Sequence, residues 1–179
     1  LAEAKGAVEL LLADCYSRRD HVALVAFRGK AAELLLPPTR SLVRAKRALV
    51  GLPGGGGTPL ASAVDLAMQV ATGCRDRGQS PVVVFMTDGQ GNIARDGTPG
   101  RPQAEADAME SARAFRVCGF SAMLIDTSRK PQPLAQKIAA EMGAKYLLLP
   151  YADAAALSKA VKGSGAEAAK AGPKARGAA

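Results

Sequence analysis

A nearly unbroken apolar run, PVVVFMTDG at residues 81–89, restricts the fold of this chain more than any other feature of its sequence. A strand with one face in water alternates apolar and polar residues, whereas a strand covered on both faces of a parallel sheet is apolar almost throughout. The run is typical of the second kind. We therefore expect it to form the central strand of a sheet that has helices on both faces.

The remainder of the chain alternates between helical and strand patterns. Apolar residues recur at helical spacing up to residue 20, which predicts a helix already under way at Leu1. Two short strands are predicted at residues 21–27 and 31–38. The turn RGK between them is too short for a parallel crossover, so we expect an antiparallel pair, with prolines marking an edge. The other predicted elements are helices at residues 42–52, 59–74, 103–117, 133–144 and 153–161, and strands at residues 120–126 and 145–151.

This alternation predicts an α/β fold: a doubly wound, mostly parallel sheet with one antiparallel edge strand and helices on both faces. The chain has 179 residues, which suits one domain with a single core. We expect residues 1–163 to form that domain. Apart from Pro173, residues 164–179 contain no apolar side chain larger than alanine, so we expect a basic, disordered tail there.

Composition argues against several classes of function. The net charge is +8, but the basic residues are scattered, and three tyrosines, four phenylalanines and no tryptophan leave little to stack on bases. We therefore do not expect nucleic-acid binding. No apolar run approaches the ~20 residues of a membrane-spanning helix. The three cysteines form no C-x-x-C pair and suit a reducing cytosol, so we expect a cytoplasmic protein.

Two residues are candidates for a ligand site at one edge of the predicted sheet. In open α/β sheets, ligands bind at the carboxyl ends of the strands, and Asp88 ends the apolar run there. Thr58 follows four glycines in the stretch LPGGGGTPLASAVDLA, and its loop can reach the same edge. A carboxylate and a hydroxyl are hard oxygen donors, which Mg²⁺, Ca²⁺ and Mn²⁺ prefer. These two ligands alone would hold such a metal poorly.

Structural roles compete with this interpretation. Thr58 before Pro59 also has the pattern of a helix N-cap and first position, and Asp88 before Gly89 that of an ordinary turn. Asp126 ends the next strand, where a cap or turn role is the better interpretation, so it is left out of the site.

Catalytic motifs find little support in the sequence. The stretch GLPGGGGT has the spacing of a phosphate loop, but Gly57 stands where the lysine belongs and the loop follows a helix. His21 is the only histidine, and a Ser/His/Asp or Cys/His arrangement would have to use it. We therefore predict no catalytic residue.

The order of elements, together with GGGGTPL and VVVFMTDGQGN, resembles a von Willebrand factor A or integrin I-type domain. Such domains carry a metal-ion-dependent adhesion site built from a D-x-S-x-S motif after the first strand, a threonine in a later loop and an aspartate after the fourth strand. Thr58 matches that threonine and Asp88 that aspartate. The D-x-S-x-S motif is absent from this sequence, and we expect it, with the first strand, to belong before Leu1.

A closer resemblance is to the C-terminal integrin I-like domain of magnesium chelatase D subunits, carried mainly by LLPPTRS and LPGGGGTPLA and extending to about residue 161. It implies a non-catalytic subunit of the ATP-dependent complex that inserts Mg²⁺ into protoporphyrin IX on the route to chlorophyll or bacteriochlorophyll. The implied partners are an AAA+ motor subunit and a large porphyrin-binding subunit. The implied cofactor is Mg²⁺, or another hard divalent cation, at an incomplete adhesion-type site.

The first hypothesis is therefore an interaction domain. A cation held by Thr58, Asp88 and the missing motif would keep a position open for a partner carboxylate, with residues 90–102 bordering the site and Arg40 and Arg44 contributing to docking. Glycine before Thr58 would permit tight curvature of the loop. Two alternatives stay open: a domain of the same type that serves another AAA+ ATPase or chelatase, and an enzyme that binds a phosphorylated metabolite at the glycine loop.

Overall fold

The computed structural model describes residues 2–52, 55–149, 159 and 162–163. The predicted helix at residues 153–161 therefore lies largely outside the described residues, and the predicted tail at 164–179 lies wholly outside them. The elements are α1 (Ala2–Ser17), β1 (Val22–Arg28), β2 (Ala31–Thr39), α2 (Leu42–Val50), α3 (Leu60–Asp76), β3 (Val82–Thr87), α4 (Arg101–Cys118), β4 (Ser121–Asp126), α5 (Pro133–Met142) and β5 (Lys145–Leu148).

A parallel sheet of three strands, in the order β3-β4-β5, forms one part of the fold. Its register pairs Thr87 with Asp126 and Asp126 with Leu148, so the three strands end at the same edge. The prediction of an α/β fold with parallel strands and one antiparallel pair is confirmed. The prediction that the run at residues 82–87 is the central strand is wrong for the described residues, because β4 lies between β3 and β5.

Burial along the strands follows from this order. Five of the six residues of β4 are buried, whereas four of the six in β3 are only half-buried. A strand with neighbours on both sides loses more solvent contact than an edge strand of the same composition. In the described part of the chain β3 has one strand partner, which explains why its more apolar sequence is the less buried of the two.

The strands β1 and β2 form a separate antiparallel hairpin, as the short turn predicts. Arg28 pairs with Ala31 beside the turn, and Val22 pairs with Thr39 at the other end. The register shifts between Val22 and Val25, which is a bulge or irregularity in the ladder. Within the described residues, no ladder connects this hairpin to the parallel sheet.

Helices cover both faces of the parallel sheet, as predicted. Successive side chains of a strand point to opposite faces. On one face, Leu124 packs in the core formed with α3, α4 and α5, while Met123 and Ile125 pack with Ala7 of α1 on the other. The helix α1 also places Leu12 in the core of the hairpin, against Leu36, Ala45 and Leu49.

Candidate functional site

The candidate site lies at the edge where the strands of the parallel sheet end. The loop before α3 contacts the turn of the β1/β2 hairpin, since the Gly29 N–H donates to the Gly57 carbonyl over 2.9 Å. Gly29 stands in the turn between β1 and β2. Asp88 follows directly after the last residue of β3.

Thr58 is held through its backbone. Its N–H donates to Oδ1 of Asn92 over 2.7 Å, and its carbonyl accepts from the Asn92 N–H over 3.3 Å and from the Leu60 N–H over 3.1 Å. The residue is half-buried, and its hydroxyl makes no hydrogen bond to any described residue. The alternative role as an N-cap is wrong, because Pro59 occupies that position and no side chain caps α3.

Asp88 is exposed and forms a local turn. Its Oδ1 accepts from the Gln90 N–H over 3.1 Å, and the next residue, Gly89, has a left-handed φ of +71°. The predicted turn role is therefore confirmed. This turn uses one carboxylate oxygen, and among the described residues the second oxygen has no hydrogen-bond partner.

The structure brings the two candidate loops to the same edge. Asn92, whose side chain and backbone both bind Thr58, comes four positions after Asp88. Gly91 lies against the side chain of Leu60, close enough that a β-carbon at 91 would stand 2.8 Å from Leu60 Cδ1. The loop before α3 and the segment after β3 are thus packed together.

Close packing also explains the glycine at position 57. A β-carbon there would stand 2.5 Å from Cγ1 of Ile93 and 2.7 Å from the carbonyl oxygen of Gly29. Only glycine fits between these neighbours without moving them. At Gly57 the absence of a β-carbon thus serves close packing against the protein's own residues.

The segment after Asp88 is an ordered hairpin, which we call the 92–100 hairpin. Ile93 pairs with Pro99 in an isolated antiparallel bridge, and the Ala94 N–H donates to the Thr98 carbonyl over 2.8 Å. Its ends are joined by the Gly100 N–H, which donates to the Asn92 carbonyl over 2.9 Å. The sequence indicated that residues 90–102 border the site but did not predict that they form a hairpin.

Arg95 fixes the 92–100 hairpin to two helices. Its guanidinium binds Asp65 of α3 at 3.1 Å and Glu110 of α4 at 2.9 Å, and donates to the hydroxyl of buried Ser111. The hydrogen bond to Glu110, with the nearby carboxylates, raises the pKa of Arg95 further above its usual value. The backbone N–H of Arg95 donates to Asp107, and this bond is the main cause of the lowered pKa of Asp107.

Asp126 is fully buried at the same edge but belongs to the structure of the loop before α5. Its oxygens accept from the backbone and hydroxyl of Ser128, from the Gln132 N–H at 3.0 Å and from the Tyr146 hydroxyl at 2.6 Å. Burial acts to raise the pKa of this carboxyl, but the hydrogen bonds outweigh burial and hold the pKa below its usual value. The predicted cap or turn role is confirmed.

The other residues considered from the sequence lie elsewhere. Arg40 follows β2 at the end where Thr39 pairs with Val22, which is the opposite end of the hairpin from the Gly29 turn, and Arg44 follows in α2. The structure therefore does not bring these arginines to the site. His21 Nδ1 lies 3.1 Å from Gln79 Nε2, in no catalytic arrangement among the described residues.

The available oxygen ligands are of the type that a hard cation prefers, but they are too few to complete its coordination shell. The unbonded hydroxyl of Thr58 and the second oxygen of Asp88 are oxygen ligands of the type that Mg²⁺ takes, about six of which complete its shell. Within the described ranges, no cluster of three or more His, Cys, Asp or Glu residues could hold a metal. Further ligands would have to come from outside these residues.

Membrane insertion finds no support in the described helices. None of them combines the length and the apolar character that crossing a bilayer requires. Cys15, Cys74 and Cys118 are free thiols.

This chain is similar to several known proteins over most of its length. Residues 1–90 match the von Willebrand factor type A domain family. The chain is 57% identical over 158 residues to the magnesium-chelatase 60 kDa subunit of Cereibacter sphaeroides, which covers 88% of this chain and 28% of that protein. It is 41% identical to the magnesium-chelatase 67 kDa subunit of Heliobacterium mobile, over 90% of this chain and 25% of that protein. The chain thus spans about a quarter of the length of these curated relatives.

Solved structures agree on the fold. The conserved hypothetical protein BatB from Bacteroides thetaiotaomicron superimposes with a TM-score of 0.67 at 20% identity, over 94% of this chain and 88% of that chain. The SpRpn10 VWA domain gives a TM-score of 0.63 at 13% identity, over 99% of this chain and 86% of that chain. At such identities the likeness concerns the fold alone.

Proposed function

Because this chain belongs to the von Willebrand factor type A family, we propose that it is the protein-interaction domain of a magnesium chelatase D subunit. The observation that carries the proposal is the 57% identity, over 88% of the chain, to the magnesium-chelatase 60 kDa subunit of Cereibacter sphaeroides. The similarity to the Cereibacter sphaeroides subunit extends beyond residues 1–90, which match the family, because its aligned region is 158 residues long.

In this proposal the chain docks partners and catalyses no step itself. The AAA+ motor subunit and the large porphyrin-binding subunit are its partners in the insertion of Mg²⁺ into protoporphyrin IX, on the route to chlorophyll or bacteriochlorophyll. The inserted Mg²⁺ is a substrate and is distinct from a cation resident in the domain. A cytoplasmic location is part of the proposal.

Thr58 and Asp88 would supply two of the oxygen ligands at the docking edge. A resident divalent cation, when bound, would supply a coordination position that a partner Asp or Glu can fill. The role of this chain's residues is to present a hydroxyl and a carboxylate at fixed positions. The backbone bonds of Thr58 and the turn at Asp88 support this role, because each leaves at least one oxygen without a described partner.

The test is capture of the two partner subunits by the whole natural protein carrying Asp88→Ala, in buffer with Mg²⁺. We expect the apparent association constant to fall at least about tenfold, which corresponds to about 1.4 kcal/mol. Asp20→Ala is the control, because Asp20 is also exposed and its carboxylate also accepts a hydrogen bond, from Arg18, but it lies beside the end of the hairpin away from the Gly29 turn. It should capture the partners as the wild type does.

Equal capture by the wild type and by Asp88→Ala would overturn the proposed docking site. Capture that is lost equally in Asp20→Ala would show that loss of an exposed carboxylate, and not the site, is responsible.

A further inference from the structure

We propose that Asn92 is the positioning residue of the candidate site, which sets the Thr58 hydroxyl relative to Asp88. The inference rests on the proposed function, since it concerns how the same site is held. Asn92 itself supplies no ligand in this proposal. It acts through the backbone of Thr58.

The first support is that one residue binds both backbone groups of Thr58. The Thr58 N–H donates to Asn92 Oδ1 over 2.7 Å, and the Asn92 N–H donates to the Thr58 carbonyl over 3.3 Å. Two bonds between the same pair of residues restrict rotation as well as separation. The hydroxyl takes no part in them, so it stays available while the backbone is fixed.

The second support is that the backbone of Asn92 is itself held by a hydrogen bond to Gly100. Its carbonyl accepts from the Gly100 N–H directly before α4, which closes the 92–100 hairpin. Arg95 then binds this hairpin to α3 and α4 through Asp65 and Glu110. Asn92 therefore transmits the position of two helices to Thr58.

The third support is that the glycines directly before Thr58 place little restraint on its backbone. Gly55 and Gly56 have φ values of +84° and +99°, and glycine loses more conformational freedom on ordering than any other residue. The bond from Gly29 reaches Gly57 and leaves the orientation of Thr58 open. Among the described residues, Asn92 and Leu60 make the hydrogen bonds to the backbone of Thr58.

The chain offers a conservative variant and a matched control. Asn92→Ala removes the side-chain acceptor, whereas Asn92→Asp keeps an oxygen in the position of Oδ1. Ser62→Ala is the control, because Ser62 Oγ accepts from the Ala32 N–H over 2.8 Å and is also part-buried. This control also removes a side-chain acceptor from a backbone N–H, but the N–H belongs to Ala32 of β2 and not to Thr58.

The experiment measures Mn²⁺ binding to the whole natural protein by electron paramagnetic resonance, together with hydrogen exchange of the 55–60 segment in the absence of metal. We expect Asn92→Ala to weaken Mn²⁺ binding at least about tenfold, as loss of a group that orients a ligand commonly does. The Thr58 amide should exchange at least about tenfold faster in the same variant. Asn92→Asp should restore slow exchange and Mn²⁺ binding, and Ser62→Ala should leave both unchanged.

Asp88→Ala separates the failure of this inference from the failure of the proposed function. If Asp88→Ala weakens Mn²⁺ binding while Asn92→Ala does not, the inference is overturned and the cation site stands. If the wild type and Asp88→Ala bind Mn²⁺ equally, the cation site fails, and the inference fails with it. Equal weakening by Ser62→Ala and Asn92→Ala would reduce Asn92 to a residue of general stability, which also overturns the inference.

Discussion

At the scale of single residues, the pair of Asp126 and Tyr146 shows how a buried carboxylate is tolerated. The side chain of Asp126 is 0% exposed, and a charge in that position is costly unless hydrogen bonds replace water. The Tyr146 hydroxyl donates one of these bonds over 2.6 Å. Burial, followed by the bond to Asp126, raises the pKa of Tyr146 to about 12, so the phenol stays protonated as a donor.

We predict that Tyr146→Phe lowers the free energy of unfolding by about 1.5–3 kcal/mol at neutral pH, because a bond to a charged acceptor is lost. Urea unfolding followed by circular dichroism measures the change. The matched control is Tyr16→Phe, because Tyr16 is 58% exposed and should change stability by less than about 0.5 kcal/mol. Equal effects of the two variants would contradict the role assigned to the buried bond.

The same pair predicts how stability depends on pH. The pKa of Tyr146 is raised in the folded state, so its contribution is fully present below pH 10 and is lost as pH rises from 10.0 to about 12. The pKa of Asp126 is lowered, so its contribution is present above its usual pKa and is lost as pH falls through the folded value. Above pH 10 the unfolding free energy of Tyr146→Phe should therefore fall less steeply with pH than that of the wild type. Equal slopes for the two proteins would contradict this.

At the scale of elements, the 92–100 hairpin is the unit that orders the candidate site. It is short, and its own backbone bonds are few, so its position depends on Arg95 and on the close packing of Ile93 against Gly57. The side chain of Arg95 is 42% exposed. Ion pairs in such surroundings are screened by water and contribute little to global stability, but they can still restrict a local segment.

We accordingly predict that Arg95→Ala changes the free energy of unfolding by only about 1 kcal/mol, yet accelerates hydrogen exchange in the 92–100 hairpin several-fold. Mass spectrometry of exchanged peptides measures the second effect. Arg113→Ala is the control, since Arg113 also makes an exposed ion pair, at 3.5 Å to Glu141, but on α4 and α5 alone. A hairpin that exchanges at the same rate in both variants would contradict the anchoring role of Arg95.

At the scale of the whole molecule, α1 connects two sheets that share no ladder within the described residues. Ala7 packs on the parallel sheet, against Met123 and Ile125, and Leu12 packs in the core of the hairpin. The core on the other face also contacts the hairpin through Phe27. Side-chain packing, together with the bonds from the Gly29 and Ala32 N–H groups to Gly57 and Ser62, therefore holds the hairpin in place without a strand ladder.

Leu12→Ala should for this reason strongly lower the free energy of unfolding. Leu12 is 4% exposed, and removing a buried leucine side chain leaves a cavity, which costs about 2–5 kcal/mol. Leu10→Ala, in the same helix but 53% exposed, should cost less than about 1 kcal/mol. Thermal unfolding of both variants measures the difference, and similar midpoints would contradict the role of Leu12 in joining α1 to the core of the hairpin.

Several features of the site were predictable from the sequence and others were not. Asp88 and Asp126 could be placed at the carboxyl edge because each ends an apolar run, and strand direction follows from the order of elements. Asn92 was missed, although it is the only asparagine in the chain and stands after a predicted turn. No local pattern indicates that its partner is Thr58, which lies 34 positions away.

The sequence by itself determined the kind and order of the described helices and strands, the antiparallel hairpin and the α/β class, because hydrophobic periodicity and turn length are local properties. Only the tertiary structure decided that β4 lies between β3 and β5, that Arg40 lies away from the site, and that Pro59, not Thr58, is the N-cap of α3. These facts depend on which distant segments meet. Contacts between distant segments are set by the packing of the whole chain, so they cannot be predicted from a short stretch of sequence.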